Sequence, residues 1–225
     1  MPSILIHPIR SVIFDLDGTL ADTAGEIALA LERAFAESGL AALPEAAVRE
    51  LIGRGVASLV DRALERVGSR VDARAVLERF EAHYKRTVGT TAQLYPSVGD
   101  GLARLAERKL PLALVTNKPR WFTERLLDRL QVREAFAAIV AGDDGWPKKP
   151  AADMLVAACR AMASSVDETV LVGDSANDVL AARAAGCRVW CVPYGYNEGR
   201  PVESLACDRI VASVDEAARL VLAGG

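Results

Sequence analysis

The sequence lacks the features that would indicate a nucleic-acid-binding or membrane protein. Its 27 basic and 30 acidic residues leave a net charge of -3, and no basic patch dominates, which disfavours nucleic acid and anionic membranes as partners. No apolar run approaches the length of a bilayer span, and residues 1–10 are interrupted by Pro8 and lack the apolar core of a signal peptide. We therefore expect a cytoplasmic protein with a small soluble substrate.

Cysteine and histidine are also scarce. The four cysteines include no C-x-x-C pair, and both histidines, His7 and His83, lie far from them in the sequence. The spacing typical of zinc sites is therefore missing. In a reducing compartment, most such cysteines are small buried apolar residues, and we interpret all four in this way: Cys159, Cys187, Cys191 and Cys207.

The most informative stretch of the chain is residues 12–23, with the sequence VIFDLDGTLADT. Its uncharged start predicts a strand buried on both faces, as in a parallel sheet. Asp15 and Asp17 follow at the end of that strand and begin on the same side, although Gly18 can turn the chain and redirect one of them. Two acids beside an apolar strand predict a divalent metal between them or one protonated carboxyl group. The alternative is a strand that ends in an ordinary polar turn.

The remaining pattern predicts an α/β fold with a helical insert. Helical spacing of apolar residues covers 22–38, 45–52, 56–67 and 73–88, with no strand between them. From residue 95 onward, helices and strands alternate: helices 98–108, 119–130, 151–162 and 176–185, and strands 111–115, 137–140, 169–172 and 188–192. This order predicts an open parallel-sheet, Rossmann-like core of residues 1–23 and 92–225, into which a helical cap domain of residues 24–91 is inserted.

Chemically useful side chains follow each predicted core strand. Because ligands of open parallel sheets bind beyond the carboxyl ends of the strands, we expect these groups to meet at one edge. They are Asp15 and Asp17; Thr116, Asn117 and Lys118; Lys148 and Lys149; and Asp174 to Asp178. In phosphoryl transfer a carboxylate can attack phosphorus, a hydroxyl or amide can bind phosphoryl oxygens, and lysine and magnesium can neutralise charge.

Each of these groups also has a simpler interpretation. Thr116 and Asn117 could cap the helix that follows, and the lysine pair could lie in a solvated loop. The carboxylates of Asp174 and Asp178 could instead interact favourably with the dipole of the helix that begins there. The order of all four groups and their placement at strand ends favour the catalytic interpretation.

With these motifs, the chain resembles the haloacid dehalogenase superfamily of phosphatases, and within it the phosphoglycolate phosphatase-like branch. Residues 15–19 (DLDGT), 116–118 (TNK), 149–150 (KP) and 173–178 (GDSAND) resemble the four motifs of the superfamily in order. Residues 194–197 (YGYN) are similar to a loop of the phosphoglycolate branch. The chain departs from that branch at residues 151–152, which are both alanine where relatives commonly carry a proline and a polar residue.

The resemblance implies a role for each matching residue. Asp15 would be the nucleophile and a metal ligand, and Asp17 the general acid and then the base, with its backbone carbonyl on Mg²⁺. Asp174 would complete the metal site, and Asp178 would hold a metal-bound water or Lys149. Lys149 would be catalytic, and Thr116 and Asn117 would bind the phosphoryl group. The helical insert would close over the site and exclude water.

We therefore predict a magnesium-dependent phosphatase of a small phosphorylated metabolite, 2-phosphoglycolate-like or a sugar phosphate, acting as a monomer or homodimer. A phosphomutase of the same superfamily is the first alternative; it would need a bisphosphorylated activator. A dehalogenase is disfavoured because carbon–halogen cleavage needs no acid such as Asp17. A phospho-acceptor signalling domain would have about half the length of this chain and no helical insert.

Two residues outside the four motifs, Arg54 and Lys148, carry further predictions. Arg54 lies between Gly53 and Gly55 in a predicted turn of the insert. It could bind a second anionic group of the substrate, or it could be a solvated arginine. Lys149 directly precedes Pro150, as in the third motif of the superfamily that the chain resembles; the resemblance therefore implies that Lys149 faces the phosphoryl group, and we expect Lys148 to face solvent.

Overall fold

The computed structural model describes residues 8–224. Residues 1–7, which include His7 and most of the segment used for the expectation of no signal peptide, lie outside the described residues, as does Gly225 at the other end of the predicted core domain. Among the described residues, no helix is both long enough and apolar enough to cross a bilayer.

Strands in the described part of the chain form one parallel sheet and one short antiparallel pair. Their bounds are β1 Ser11–Phe14, β2 Ala21–Asp22, β3 Gln93–Leu94, β4 Leu112–Val115, β5 Ala138–Val140, β6 Thr169–Gly173, β7 Arg188–Cys191 and β8 Arg209–Ile210. The parallel sheet has the order β5-β4-β1-β6-β7-β8, with β1 between β4 and β6. This arrangement places the ends of β1, β4 and β6 side by side.

Helices connect these strands. Their bounds within residues 8–224 are α1 Ala24–Ala36, α2 Glu45–Arg49, α3 Val56–Arg66, α4 Ala73–Thr87, α5 Val98–Glu107, α6 Arg120–Leu130, α7 Asp153–Ala161, α8 Ala176–Ala185 and α9 Val214–Leu222. Three single-turn 3-10 helices cover residues 133–135, 197–199 and 202–204. The first four helices all fall within the helical insert, residues 24–91.

The central strand β1 is buried on both faces, as its uncharged run predicts. Val12 and Phe14 belong to an apolar cluster that includes residues of α5, α6 and α9, whereas Ile13 belongs to a second cluster with residues of α7 and α8. Alternate side chains of a strand point to opposite faces, so β1 contributes to both halves of the core. Its carboxyl end is therefore held firmly on both sides.

The helical insert leaves and rejoins the sheet through the antiparallel pair of β2 and β3. Inside the insert, α1 packs against α4 and α2, and α3 packs against α4. The ring of Tyr84 in α4 stacks on Phe122 in α6 with 4.7 Å between the ring centroids. The insert thus contacts the helices around the parallel sheet as well as its own members.

The predicted fold class, a parallel sheet flanked by helices, is confirmed, whereas the exact division into two domains stays a prediction. Most predicted helix and strand limits lie within two residues of the structure, but the helix predicted over 45–52 ends at Arg49. β2, β3 and β8 were not predicted, because two-residue strands are too short to show a period. Helix α9 was also missed, although Ser213 accepts a hydrogen bond from the amide of Glu216 at its start, a capping signal that the sequence carries.

Candidate active site

Three neighbouring strands deliver the acidic and polar residues of the site to one edge of the sheet. The amide of Asp15, directly after β1, donates to the carbonyl of Val172 in β6 at 3.0 Å. The amide of Thr116, after β4, donates to Val140 of β5 at 3.0 Å. Because the backbone hydrogen bonds of the sheet continue to Asp15 and Thr116, the sheet determines where these two side chains lie.

Asp15 is paired with a buried lysine. The Nζ atom of Lys149 donates to Oδ1 of Asp15 at 2.7 Å, to Oδ1 of Asp178 at 2.7 Å and to the carbonyl of Val115 at 3.0 Å. All three ionic side chains are buried, so solvent screens their interactions little. Lys149 therefore bridges two carboxylates that the sequence separates by more than a hundred residues.

Asp178 is held in place by the helix that carries it. Its Oδ2 atom accepts hydrogen bonds from the amide and the hydroxyl of Ser175, at 3.1 and 2.7 Å. Reciprocal bonding of this kind at the start of a helix satisfies amides that have no partner within the helix. Asp178 therefore caps the start of its helix, as the simpler interpretation predicts, and it also contacts Lys149.

Asp174 lies between the first motif and the loop after β7. Its Oδ1 accepts from the hydroxyl of Thr19 at 2.9 Å, and its Oδ2 accepts from the amide of Tyr196 at 2.7 Å. Gly18, with a φ of +91°, passes so close that a Cβ atom there would lie 2.4 Å from the Asp174 carboxylate. Only glycine fits both this backbone conformation and this contact.

Burial and mutual repulsion raise the pKa values of two of the clustered acids, Asp15 and Asp174. Burial raises the pKa of Asp15 well above its ordinary value, and Asp178 and Asp174 raise it further while Lys149 opposes the change. Burial and the neighbouring Asp178 raise the pKa of Asp174 to about 7. Burial alone would lower the pKa of Lys149, but the charges of Asp15 and Asp178 outweigh it and raise that pKa. The site therefore has more negative charge than one lysine can balance.

This charge excess suits a divalent cation. Asp15, Asp174 and Asp178 each offer a carboxylate oxygen, and the three oxygens lie within 4.8 Å of one another. Hard oxygen ligands of this type are preferred by Mg²⁺. Asp17, predicted as a ligand through its backbone carbonyl, does not contribute a carboxylate oxygen to this group, and its contact with a metal stays a prediction.

The Asp17 carboxylate instead faces Lys118, a residue to which the family resemblance assigns no role. Nζ of Lys118 donates to both Asp17 oxygens, at 2.8 and 3.0 Å, and the hydroxyl of Thr23 donates to Oδ1 at 2.7 Å. Lys118 is buried, and its Nζ lies 5.0 Å from the centroid of the Tyr84 ring in the helical insert. Its position directly after β4, beside Thr116 and Asn117, was the available signal.

Thr116 and Asn117 both line the cavity, but their side chains have partners. The hydroxyl of Thr116 accepts from the amide of Lys118 at 3.2 Å. The Asn117 amide group donates to the carbonyls of Gly53 and Lys149, both at 2.9 Å, and its oxygen accepts from the amide of Lys149 at 3.0 Å. In the structure the Asn117 side chain therefore positions Lys149 and contacts the insert, and its predicted bond to a phosphoryl group remains untested.

A cavity lies between the sheet edge and the helical insert. Its empty volume is about 420 Å³, part of which is open solvent. On the sheet side it is lined by Asp15, Asp17, Thr116, Asn117 and Lys118, and on the insert side by Ile27, Ile52, Gly53, Gly55, Val56, Leu59 and Phe80. A bound molecule would thus meet polar and charged groups on one side and an apolar wall on the other.

Arg54 and Lys148 lie near this cavity but do not line it. The guanidinium of Arg54 donates to Glu198 at 2.6 Å, and Arg62 also contacts Glu198 at 3.2 Å. Lys148 is exposed, and a Cβ atom placed at Gly55 would lie 3.2 Å from its Nζ. Arg54 thus joins the insert to the loop after β7 in this structure.

The raised pKa of Asp174 predicts a pH dependence of stability in metal-free protein. Its pKa is about 7 when folded and near 3.8 when exposed, so the folded state binds more protons between these values. The contribution of this group is fully present below its unfolded pKa, and it is lost as the pH rises through its folded pKa. In a chelating buffer, we expect the unfolding free energy of the wild type to fall relative to that of Asp174→Asn between about pH 4 and about pH 8.

Urea unfolding of both proteins across this pH range measures the difference. Added Mg²⁺ is expected to restore wild-type stability at the high end and to do less for the variant. A difference between the two proteins that does not change with pH would contradict the raised pKa.

Comparison with known proteins supports a family assignment. Residues 12–192 match the family model described as haloacid dehalogenase-like hydrolase. The chain is 42% identical over 218 residues to a phosphoglycolate phosphatase of Nitrosospira multiformis, covering 95% of this chain and 96% of that protein.

Solved structures give the same result. A predicted phosphoglycolate phosphatase from Haemophilus somnus has a TM-score of 0.90 at 27% identity, covering 94% of this chain and 97% of that one. CbbY from Rhodobacter sphaeroides, in complex with xylulose-(1,5)bisphosphate, has a TM-score of 0.78 at 25% identity, covering 92% of this chain and 96% of that one.

Proposed function

Because the chain belongs to the haloacid dehalogenase-like hydrolase family, we propose that it is a magnesium-dependent phosphatase of a small phosphorylated metabolite. The relatives named above favour 2-phosphoglycolate as the first substrate to test. The observation that carries the proposal is the placement of Asp15, which is bonded to Lys149 at 2.7 Å and also lines the cavity. A nucleophile, a neutralising cation and room for a substrate are thus adjacent.

In the proposed reaction, an oxygen of Asp15 attacks the phosphorus atom and forms an aspartyl-phosphate. Asp17 gives its proton to the departing alkoxide and then takes one from the water that hydrolyses the aspartyl-phosphate. Lys149 balances negative charge at Asp15, and Thr116 lies at the cavity where phosphoryl oxygens would be bound. Phosphate and the free alcohol are the products.

Asp15, Asp174 and the backbone carbonyl of Asp17 would hold Mg²⁺, and Asp178, whose carboxylate accepts from Lys149 and Ser175, would support them from behind. When bound, the cation would neutralise charge on the phosphoryl oxygens and on the carboxylates. Its binding would also offset the burial of these carboxylates and the repulsion among them, which together raise the pKa values of Asp15 and Asp174 in the protein alone. Asp15 would thus serve both metal binding and catalysis.

The helical insert is proposed to act as the cap of the site. It supplies the apolar wall of the cavity, including Leu59 and Phe80, and Asn117 donates to the carbonyl of Gly53 in the insert. An apolar cover excludes bulk water while the aspartyl-phosphate exists, which strengthens the electrostatic interactions beneath it.

A panel of phosphorylated metabolites tests this function. Purified protein with Mg²⁺ is incubated with each compound and with an aryl phosphate, and released phosphate is measured. We expect release from 2-phosphoglycolate or another small phosphomonoester, and loss of that release when Mg²⁺ is chelated. No release from any compound, the aryl phosphate included, would refute the proposal.

The role of Asp17 predicts a dependence on the leaving group. Asp17→Asn should slow hydrolysis of an alkyl phosphate by about 10²- to 10⁴-fold, the usual range for general acid–base catalysis. An aryl phosphate with an acidic phenol needs less protonation of its leaving group, so formation of the aspartyl-phosphate should slow much less. Rapid-quench measurement of the first turnover on both substrates gives the two ratios. Equal losses on both substrates would contradict the role as an acid.

The contact between Arg54 and Glu198 supports the interpretation of Arg54 as a bridge between insert and core. Its guanidinium is about half exposed (49%), and exposed ion pairs contribute little. Arg54→Ala should therefore raise KM by no more than about 5-fold, equally for 2-phosphoglycolate and for an aryl phosphate. Glu198→Gln is the matched variant and should have a similar effect. A large rise in KM for 2-phosphoglycolate alone would show instead that Arg54 binds the carboxylate of that substrate.

A further inference from the structure

The loop of residues 194–197 after β7 forms one wall of the acidic site. The amide of Tyr196 donates to Oδ2 of Asp174 at 2.7 Å, opposite the hydroxyl of Thr19, which donates to Oδ1 at 2.9 Å. Gly195 packs directly on the same residue, since a Cβ atom there would lie 2.2 Å from Cβ of Asp174. The loop backbone therefore determines where the Asp174 carboxylate lies.

The phenol of Tyr196 contacts a different part of the molecule, the junction at which the chain enters the insert. Its oxygen accepts hydrogen bonds from the amides of Thr23 and Ala24, at 2.8 and 3.1 Å, and donates to Oδ1 of Asp22 at 2.9 Å. These amides lie at the start of α1, where helix amides lack partners within the helix. The Tyr196 side chain thus supplies a buried acceptor at the point where the chain enters the insert.

Asp22 extends this contact into the insert. The guanidinium of Arg49, at the end of α2, donates to both Asp22 oxygens at 3.2 and 3.0 Å. It also lies 4.9 Å from the centroid of the Tyr196 ring. A continuous set of contacts therefore runs from Asp174 through Tyr196 and Asp22 to Arg49.

We propose that Tyr196 is a positioning residue that couples the Asp174 carboxylate to the attachment of the helical insert. Its amide holds the carboxylate and its phenol holds the first turn of α1, so the two cannot move independently while both contacts persist. Movement of the insert would displace the loop and with it Asp174. This inference rests on the proposed function only for the role of Asp174 as a Mg²⁺ ligand. The coupling itself is a property of the protein alone.

Tyr196→Phe tests the coupling, because it keeps the ring and the amide and removes only the phenol oxygen. Tyr194→Phe is the matched control: it removes a phenol from the same loop, whose hydroxyl donates at 3.1 Å to the carbonyl of Thr19 and not to the insert. Amide hydrogen exchange of the wild type and both variants is measured without metal or substrate. Mg²⁺ affinity is measured separately by titration calorimetry.

In Tyr196→Phe we expect exchange at the amide of residue 23 to be about tenfold faster, as for loss of a hydrogen bond acceptor. The increase at residue 24 should be smaller, because its amide also donates to Oδ1 of Asp22 at 3.3 Å. Exchange at position 196 itself should also rise, because the loop loses its fixed contact, and Mg²⁺ should bind roughly 3- to 10-fold more weakly. Tyr194→Phe should leave exchange at 23 and 24 at the wild-type rate.

Two results would overturn the inference. Unchanged exchange at residues 23 and 24 would show that the phenol does not hold the insert. Faster exchange there, with wild-type exchange at position 196 and wild-type Mg²⁺ affinity, would show a structural contact without coupling. Failure of the proposed function is distinguishable, because it would appear as a wild-type protein that binds no Mg²⁺ and releases no phosphate, while the exchange rates would still report the coupling.

Discussion

Asp15→Asn is expected to reduce phosphate release to below about one per cent of the wild-type rate, given the losses typical of nucleophile removal. The amide is not a nucleophile toward phosphorus and is not an anionic ligand for Mg²⁺. The shape of the residue is nearly unchanged, and the side-chain oxygen can still accept a hydrogen bond from Lys149, which donates to Asp15 at 2.7 Å. The loss should therefore come from chemistry and not from disruption of the fold.

Unfolding of this variant in a chelating buffer provides the control. Burial and neighbouring acids raise the pKa of Asp15 well above its ordinary value, so removing its charge should leave metal-free protein at least as stable at neutral pH. Residual turnover well above about one per cent in a correctly folded variant would argue against Asp15 as the nucleophile.

Lys149→Met should have the second largest effect. It removes the cation that bonds to both Asp15 and Asp178 at 2.7 Å and leaves buried carboxylates without a partner. Breaking a buried ion pair in this way costs about 3–5 kcal/mol of stability, and we expect turnover to fall by about 10²- to 10³-fold, as for removal of a stabilising group at a reacting oxyanion.

Lys148→Met is the matched control, because it changes the adjacent residue in the same way. Lys148 is exposed, and it has no ion-pair partner among residues 8–224. Its replacement should change stability by less than about 0.5 kcal/mol, as is usual for surface positions, and should leave turnover close to the wild-type rate. Equal losses at the two positions, or a larger loss at Lys148, would overturn the assignment of Lys149.

The sequence contains enough information for the sheet and for the residues at its edge. Apolar runs mark β1, β4 and β6, and because parallel strands end at one edge, the side chains that follow them meet. The structure accordingly brings Asp15 and Asp174 together, although they are far apart in the chain. The parallel direction of the strands carries this part of the prediction, and it does not depend on detailed side-chain geometry.

The partners of individual side chains were harder to predict, because they depend on where a side chain turns in three dimensions. Lys118 follows β4 as expected, but no sequence pattern indicates that its ammonium turns toward Asp17, which lies 101 residues earlier. Arg54 is similar: its partner Glu198 is 144 residues away in a loop that shows no period. Hydrogen bonding at such separations is decided by the packing of the whole chain.

The central claim is that a substrate phosphoryl group is transferred to Asp15, and chemical trapping tests it directly. Protein is mixed with Mg²⁺ and the substrate found in the panel, quenched during turnover with borohydride, which reduces an acyl phosphate to an alcohol, and analysed by peptide mass spectrometry. The account predicts reduction at position 15 in the wild type, only when substrate is present, and none in Asp15→Asn. Reduction at a different carboxylate, or turnover in Asp15→Asn at the wild-type rate, would contradict it.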